Sequence, residues 1–211
     1  MQVDCFETKE LIQKISKQEF LEHGFKKSNI RSIAKKVGIT PGAIYKHYLS
    51  KEEIFDDLVG DVCIQVFKLS QVAFEQSIQL IQKDPEAFLN RSYDLDEPLF
   101  NYIMKHRIEL KLLLFKSDGT KYESFKDDLI YNEVNSHKAI GSNLKQVGYE
   151  LMQYSDDALF LIYSTCFNPF FEAIRLSMNQ EEMNAYTDIM FEASDFAWRL
   201  FLKNMKVEKI G

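Results

Sequence analysis

Apolar residues recur three and four positions apart through most of this chain, the spacing that lays one stripe of an α-helix against a core. Proline and glycine are sparse, with four and eight in 211 residues, and no run alternates with the two-residue period of a half-buried strand. Together these features predict an all-α protein. A chain of this length suits one large or two modest domains and buries roughly 70% of its unfolded surface, so neither metals nor disulfides are needed to hold it. Cys5, Cys63 and Cys166 are odd in number and far apart, which gives no disulfide framework and no zinc site and fits a reducing, cytoplasmic setting. The N-terminus lacks the basic and apolar regions of a secretory signal, and no apolar run reaches the length of a membrane span.

Cap chemistry divides the pattern into helices expected near 7–23, 30–36, 41–47, 51–82, 86–92, 96–116, 121–145, 156–177 and 181–204. Ser50 with Glu53 reads as a capping box, with Leu49 and Ile54 at the two staple positions. Asp84-Pro85, Asp94 with Glu97, and Thr120 with Glu123 mark further starts, and Gly119 a stop. A change of domain is expected near residue 50, inside or beside a helix, without a low-complexity linker.

Charge is distributed unevenly. The whole chain is at -6, yet residues 1–51 hold ten Lys/Arg against five Asp/Glu, a net of +5, while the rest carries −11. Phosphate binding needs a local basic face rather than a basic protein. Within that front segment, Ile30, Ile33, Ala34 and Val37 form the apolar face of a two-turn helix capped by Asn29. Gly38 supplies a left-handed turn; Thr40 caps the next helix, with Pro41 at its first position, and Ile44 and Tyr48 point inward. Two short helices joined by a glycine turn form a helix-turn-helix, whose second helix enters the major groove tip first. Here that tip is Thr40, Pro41, Gly42 and Ala43, small enough for backbone to approach bases and phosphates. Tyr45, Lys46, His47 and Lys51 offer donors to phosphates, and Arg31 can reach a guanine edge or a phosphate.

At these residues the stretch from Ile12 to Phe55 resembles the DNA-binding region of the TetR family of transcriptional regulators. The resemblance rests on Phe20, Gly24-Phe25, Ile30-x-x-Ile33-Ala34, Gly38-Ile39, Gly42-x-x-Tyr45-x-His47-Tyr48 and Ser50-Lys51-Glu52. Two positions depart from it: Asn29 stands where threonine is common and Ser16 where alanine is common. The segment 106–125 also resembles one that recurs in the effector domains of some TetR-like repressors.

The resemblance implies a three-helix DNA-binding domain over 1–50, joined through a long helix to a roughly six-helix effector-binding and dimerisation domain over 51–211. It further implies that Arg31, Thr40, Pro41, Gly42, Tyr45, His47 and Lys51 fall where the family touches DNA, with Tyr45 and Lys51 on phosphates. The last two helices are expected to pair with those of a second copy. Their composition agrees: Leu159, Phe160, Ile162, Tyr163, Phe167, Phe170, Phe171 and Ile174 in one, and Ile189, Met190, Phe191, Ala193, Phe196, Ala197, Trp198, Leu200 and Phe201 in the other, spread over more than one face. A two-fold dimer presents two reading heads to a pseudo-palindromic operator. Candidate walls of an effector cavity are Phe67, Phe100, Met104, Arg107, Tyr131 and Phe167, which plain core packing explains equally.

The function expected is a cytoplasmic, ligand-responsive dimeric repressor. Two alternatives stand beside it: a constitutive or architectural DNA-binding protein without effector, and an all-α enzyme. No Glu-x-x-His pair, HExxH or phosphate-cradling glycine loop supports the last, the four histidines are scattered, and no cofactor or metal is expected.

Overall fold

The computed structural model describes residues 5–90, 97–151, 153–179, 181–183, 185, 186, 189, 208 and 209. Its helices are α1 (Cys5–His23), α2 (Ile30–Val37), α3 (Pro41–Ile44), α4 (Lys51–Lys83), α5 (Pro85–Asn90), α6 (Glu97–Lys105), α7 (Arg107–Phe115), α8 (Phe125–Gln146) and α9 (Asp156–Leu176). Two short strands, β1 (Tyr149–Glu150) and β2 (Glu208–Lys209), pair antiparallel, a small departure from the strand-free expectation.

The chain divides into two compact units that do not follow chain order. The first comprises 1–65 with 106–126, and the second 66–105 with 127–211. In the first, α7 and the segment after it pack with the N-terminal helices: the Phe25 N–H donates to the Lys116 carbonyl at 2.9 Å, and Lys17 pairs with Glu109 at 2.6 Å. Ile12, Phe20, Ile33, Ile44, Ile54 and Phe55 are fully buried there. The rings of Phe20, Phe25 and Phe55 close on one another at centroid distances of 5.3–5.8 Å. In the second unit Ile81, Phe88, Leu144, Tyr149 and Leu151 form a buried cluster.

Most caps act as expected. Asn29 accepts from the Ser32 amide, Thr40 from Ala43, Ser50 from Glu53 and Asp84 from Ala87. Four expectations change. The helix expected over 96–116 is broken at His106 into α6 and α7; the backbone leaves the helical region there without proline or glycine, so nothing local marks it. The start expected at 121 moves to Phe125, because the Thr120 hydroxyl accepts from the Tyr122 amide two residues on, making a turn instead of a cap. The helix expected over 41–47 ends at Ile44 and tightens into i+3 bonds, with the His47 N–H donating to the Ile44 carbonyl at 2.9 Å. Finally, Glu53 reaches back to the Leu49 amide rather than to that of Ser50, and Leu49 stays 86% exposed, so no hydrophobic staple forms with the buried Ile54. Asp94, and most of the helix expected over 181–204 including Met190, Phe191, Ala193, Phe196, Ala197, Trp198, Leu200 and Phe201, lie outside the described residues.

Candidate nucleic-acid interface

The site is built by one turn and two caps. Ile33 and Ala34 pin α2 to the core; Gly38, at φ +83°, ends it and donates its N–H to the Ala34 carbonyl at 2.9 Å. Thr40 then caps α3, Pro41 occupies the first helical position, and Ile44 and Tyr48 anchor the far end in the core. The Tyr48 hydroxyl donates to Asp57 at 2.7 Å, and burial together with that carboxylate pushes its pKa far above the usual value. With the inner face so fixed, Thr40, Pro41 and Gly42 stand in solvent and Ala43 is half-buried.

Gly42 is informative because nothing in the chain requires it. Its φ is not in the left-handed region, and a Cβ added there would meet only the Thr40 Oγ1, at 4.0 Å. A glycine in a helix costs roughly 0.5–1 kcal/mol relative to alanine, so its presence makes sense where another surface approaches the backbone.

Beside the tip, Arg31 and Tyr45 are exposed, Tyr45 by 53%, and together with Ser28, Asn29, Ile30 and Lys51 they line an open depression of about 600 Å³. Lys46 is exposed and His47 half-buried. The structure thus brings Arg31, Tyr45 and Lys51 to one depression and leaves Thr40, Pro41 and Gly42 at the tip. Lys26 and Lys27, exposed in the turn before α2, were not singled out from sequence; their place beside the Asn29 cap is the signal that marks them.

Lys51 is placed differently from the other cations. Its ammonium donates to the backbone carbonyls of Phe25 at 2.8 Å and Ser28 at 3.0 Å, and lies 4.0 Å from the centroid of the Phe25 ring. Burial pulls its pKa below the usual lysine value.

A buried carboxylate orients α2. Glu19, 2% exposed, accepts from Lys36 at 2.7 Å; burial would raise its pKa, but the bonds from Lys36 and Ser32 outweigh it and hold the group below the usual range. Glu19, Glu22 and His23 bring potential ligand atoms within 4.8 Å of one another, but the Lys36 ammonium already pairs with both carboxylates, so the cluster is accounted for without a metal.

The six candidate effector residues fall in both units. Phe67, Phe100, Met104, Tyr131 and Phe167 belong to the second, and Arg107 to the first. Phe100 meets Phe170 edge-on at 6.0 Å, Tyr131 meets Phe160 at 4.9 Å, and Phe167 stacks on Phe171 at 5.8 Å. A separate pocket of about 410 Å³ in the second unit is lined by the buried His137 with Lys138, Lys145, Glu150, Tyr154 and others, and includes none of the six.

A capped helix-turn-helix with an exposed small-residue tip is the arrangement by which DNA-reading heads present a helix to the major groove. Residues 14–58 match the family described as bacterial regulatory proteins, tetR family. The chain is 25% identical over 166 residues to an HTH-type transcriptional regulator of Staphylococcus aureus strain bovine RF122, covering 78% of this chain and 77% of that one. It is 23% identical over 164 residues to another from S. aureus strain USA300, covering 64% and 82%. Among solved structures it is similar to NalD, the secondary repressor of the MexAB-OprM multidrug efflux pump in Pseudomonas aeruginosa, at 16% identity, a TM-score of 0.44 and coverage of 90% and 97%. The match to the TetR family is thus confined to residues 14–58, the segment that carries the helix-turn-helix. Among the described residues, no helix is long and apolar enough to cross a membrane.

Proposed function

We propose that the protein is a ligand-responsive homodimeric repressor that holds a pseudo-palindromic operator in the cytoplasm and releases it when a small molecule binds the effector domain. The reading rests above all on the exposed tip at Gly42, a helical glycine that the chain itself does not need. In this proposal Thr40, Pro41, Gly42 and Ala43 enter the major groove, Arg31 reads a base edge or phosphate, and Tyr45, Lys46 and His47 bind phosphates. Dimerisation uses α9, where Leu161 and Leu176 are 67% and 58% exposed in the single chain, together with the segment following it. Phe67, Phe100, Met104, Tyr131 and Phe167 are the proposed effector contacts; Arg107 is set apart because it belongs to the first unit. The effector acts by preferring a dimer whose two heads stand at another spacing, so its differential affinity, not its tightness, sets the response.

Gly42→Ala tests the reading. Alanine fits the space and the helix, so thermal stability should hold or rise by up to about 1 kcal/mol, while affinity for a duplex selected from random DNA by the wild-type protein falls at least about tenfold. Unchanged affinity would show that the tip does not meet DNA. Selection that returns sites without dyad symmetry would remove the dimeric part of the proposal.

A further inference from the structure

We propose that Lys51 serves DNA binding as a tether of the reading head and not as a phosphate ligand. This rests on the DNA-binding reading above and assigns Lys51 a different part from the phosphate contact that the family resemblance implies. Lys51 is the first residue of α4, where the helix dipole disfavours a positive charge. Its side chain turns back to the connection between α1 and α2, where two of the three ammonium protons are taken by the Phe25 and Ser28 carbonyls. A face of the ammonium is turned to the Phe25 ring. For a phosphate to take these protons, two carbonyls in a half-buried site would have to give up their donor, which costs about what the new contact gains.

What the tether holds is specific. Ser28 immediately precedes Asn29, the cap of α2, and Arg31 lies two residues further on. The Ser28 amide bonds to the Gly24 and Phe25 carbonyls, and its hydroxyl donates to the Gly24 carbonyl at 2.7 Å, so the turn is one bonded unit with Lys51 on its open side. Tyr45 lines the same depression. Lys51 therefore fixes where the cap of α2, and with it Arg31, stands relative to the start of α4. It is a positioning residue.

Lys51→Met keeps the length and removes charge and donors. Binding to the selected duplex is measured from about 50 to about 200 mM KCl, beside amide hydrogen exchange of the free protein. A tether predicts affinity at least about tenfold lower, an unchanged slope of log affinity against log salt, and Ser28 amide exchange at least about tenfold faster. A phosphate ligand predicts a slope shallower by about 0.9 per half-site and unchanged exchange at Ser28; that result, or unchanged affinity, overturns the proposal. Should the variant fail to fold, the ζ-ammonium NMR signal of wild-type Lys51 decides: unmoved by the duplex it supports the tether, and shifted it refutes it. If the wild type binds no duplex, the DNA-binding reading falls, and Ser28 exchange in Lys51→Met still tests the tether.

Discussion

The two units use their aromatic side chains in different ways. In the first, Phe20, Phe25 and Phe55 are 0–3% exposed and each ring touches the other two, with Tyr122 against Phe55 at 6.2 Å. In the second, Phe100, Phe160, Phe167 and Phe170 are half-buried and Tyr131 is 48% exposed; Phe100 meets Phe170 edge-on, Tyr131 lies beside Phe160, and Phe167 stacks on the buried Phe171. A closed cluster leaves nothing further to gain from a partner. Half-buried rings do, and in the proposed function they are what a ligand or a second subunit completes. In the proposed function, then, the first unit holds one shape and the second is completed by something else.

The largest effect that would break this contrast is a pair of truncations. Phe55→Ala opens a cavity in a closed cluster and should cost about 3–5 kcal/mol in urea unfolding at fixed protein concentration. Phe167→Ala removes a ring that is already part-solvated and should cost about 1–2 kcal/mol. Equal losses would mean that the second unit is packed as tightly as the first.

Acid should separate the units next. His137, in the second unit, is 6% exposed, and burial lowers its pKa from 6.5 to about 4; its Nδ1 lies 3.1 Å from the Tyr163 hydroxyl. The folded state therefore favours the neutral ring, while the unfolded chain takes up a proton near 6.5. Stability from this group is complete above pH 6.5 and drains as pH falls toward 4, by up to about 3 kcal/mol. In the first unit Asp56, held down by Lys121 and Tyr122, and Asp57, whose hydrogen bonds outweigh its burial, lose their contribution only as pH drops through the carboxylate range. Between pH 6.5 and 5 hydrogen exchange should quicken in the second unit while the first keeps its protection, and His137→Gln should flatten that dependence. Simultaneous loss in both units would sink the assignment.

The same contrast governs what was legible in the amino-acid sequence. Asn29, Thr40, Ser50 and Asp84 act within three residues of themselves, so their caps follow from local pattern, as does the exposed tip between Gly38 and Tyr45. Lys51 was legible as a cation near DNA but not as a donor to Phe25 and Ser28, because those partners lie 26 and 23 residues away. The return of α7 to the first unit is likewise a matter of distant contacts, Lys17 with Glu109 among them, separated by 92 residues. The break at His106 falls inside an unbroken apolar period, which records which residues face inward and not whether the axis continues.

The smallest expected effect concerns a buried hydroxyl in the first unit. Ser16 stands in α1 where the resembling family commonly has alanine; it is fully buried, and its Oγ has no hydrogen-bond partner among the described residues. Burying an unpaired hydroxyl costs about 1–3 kcal/mol on mutational scales, and serine forms helix less well than alanine by up to about 0.5 kcal/mol. Ser16→Ala removes only one oxygen, so the void it leaves is small and partly offsets the gain. A net stabilisation of about 1 kcal/mol is expected, raising the melting temperature by about 2–4 °C with DNA affinity unchanged. A lower melting temperature would mean that the hydroxyl contributes packing or a bond that the contrast leaves out, and the first unit would then be less tolerant of change than its closed aromatic cluster implies.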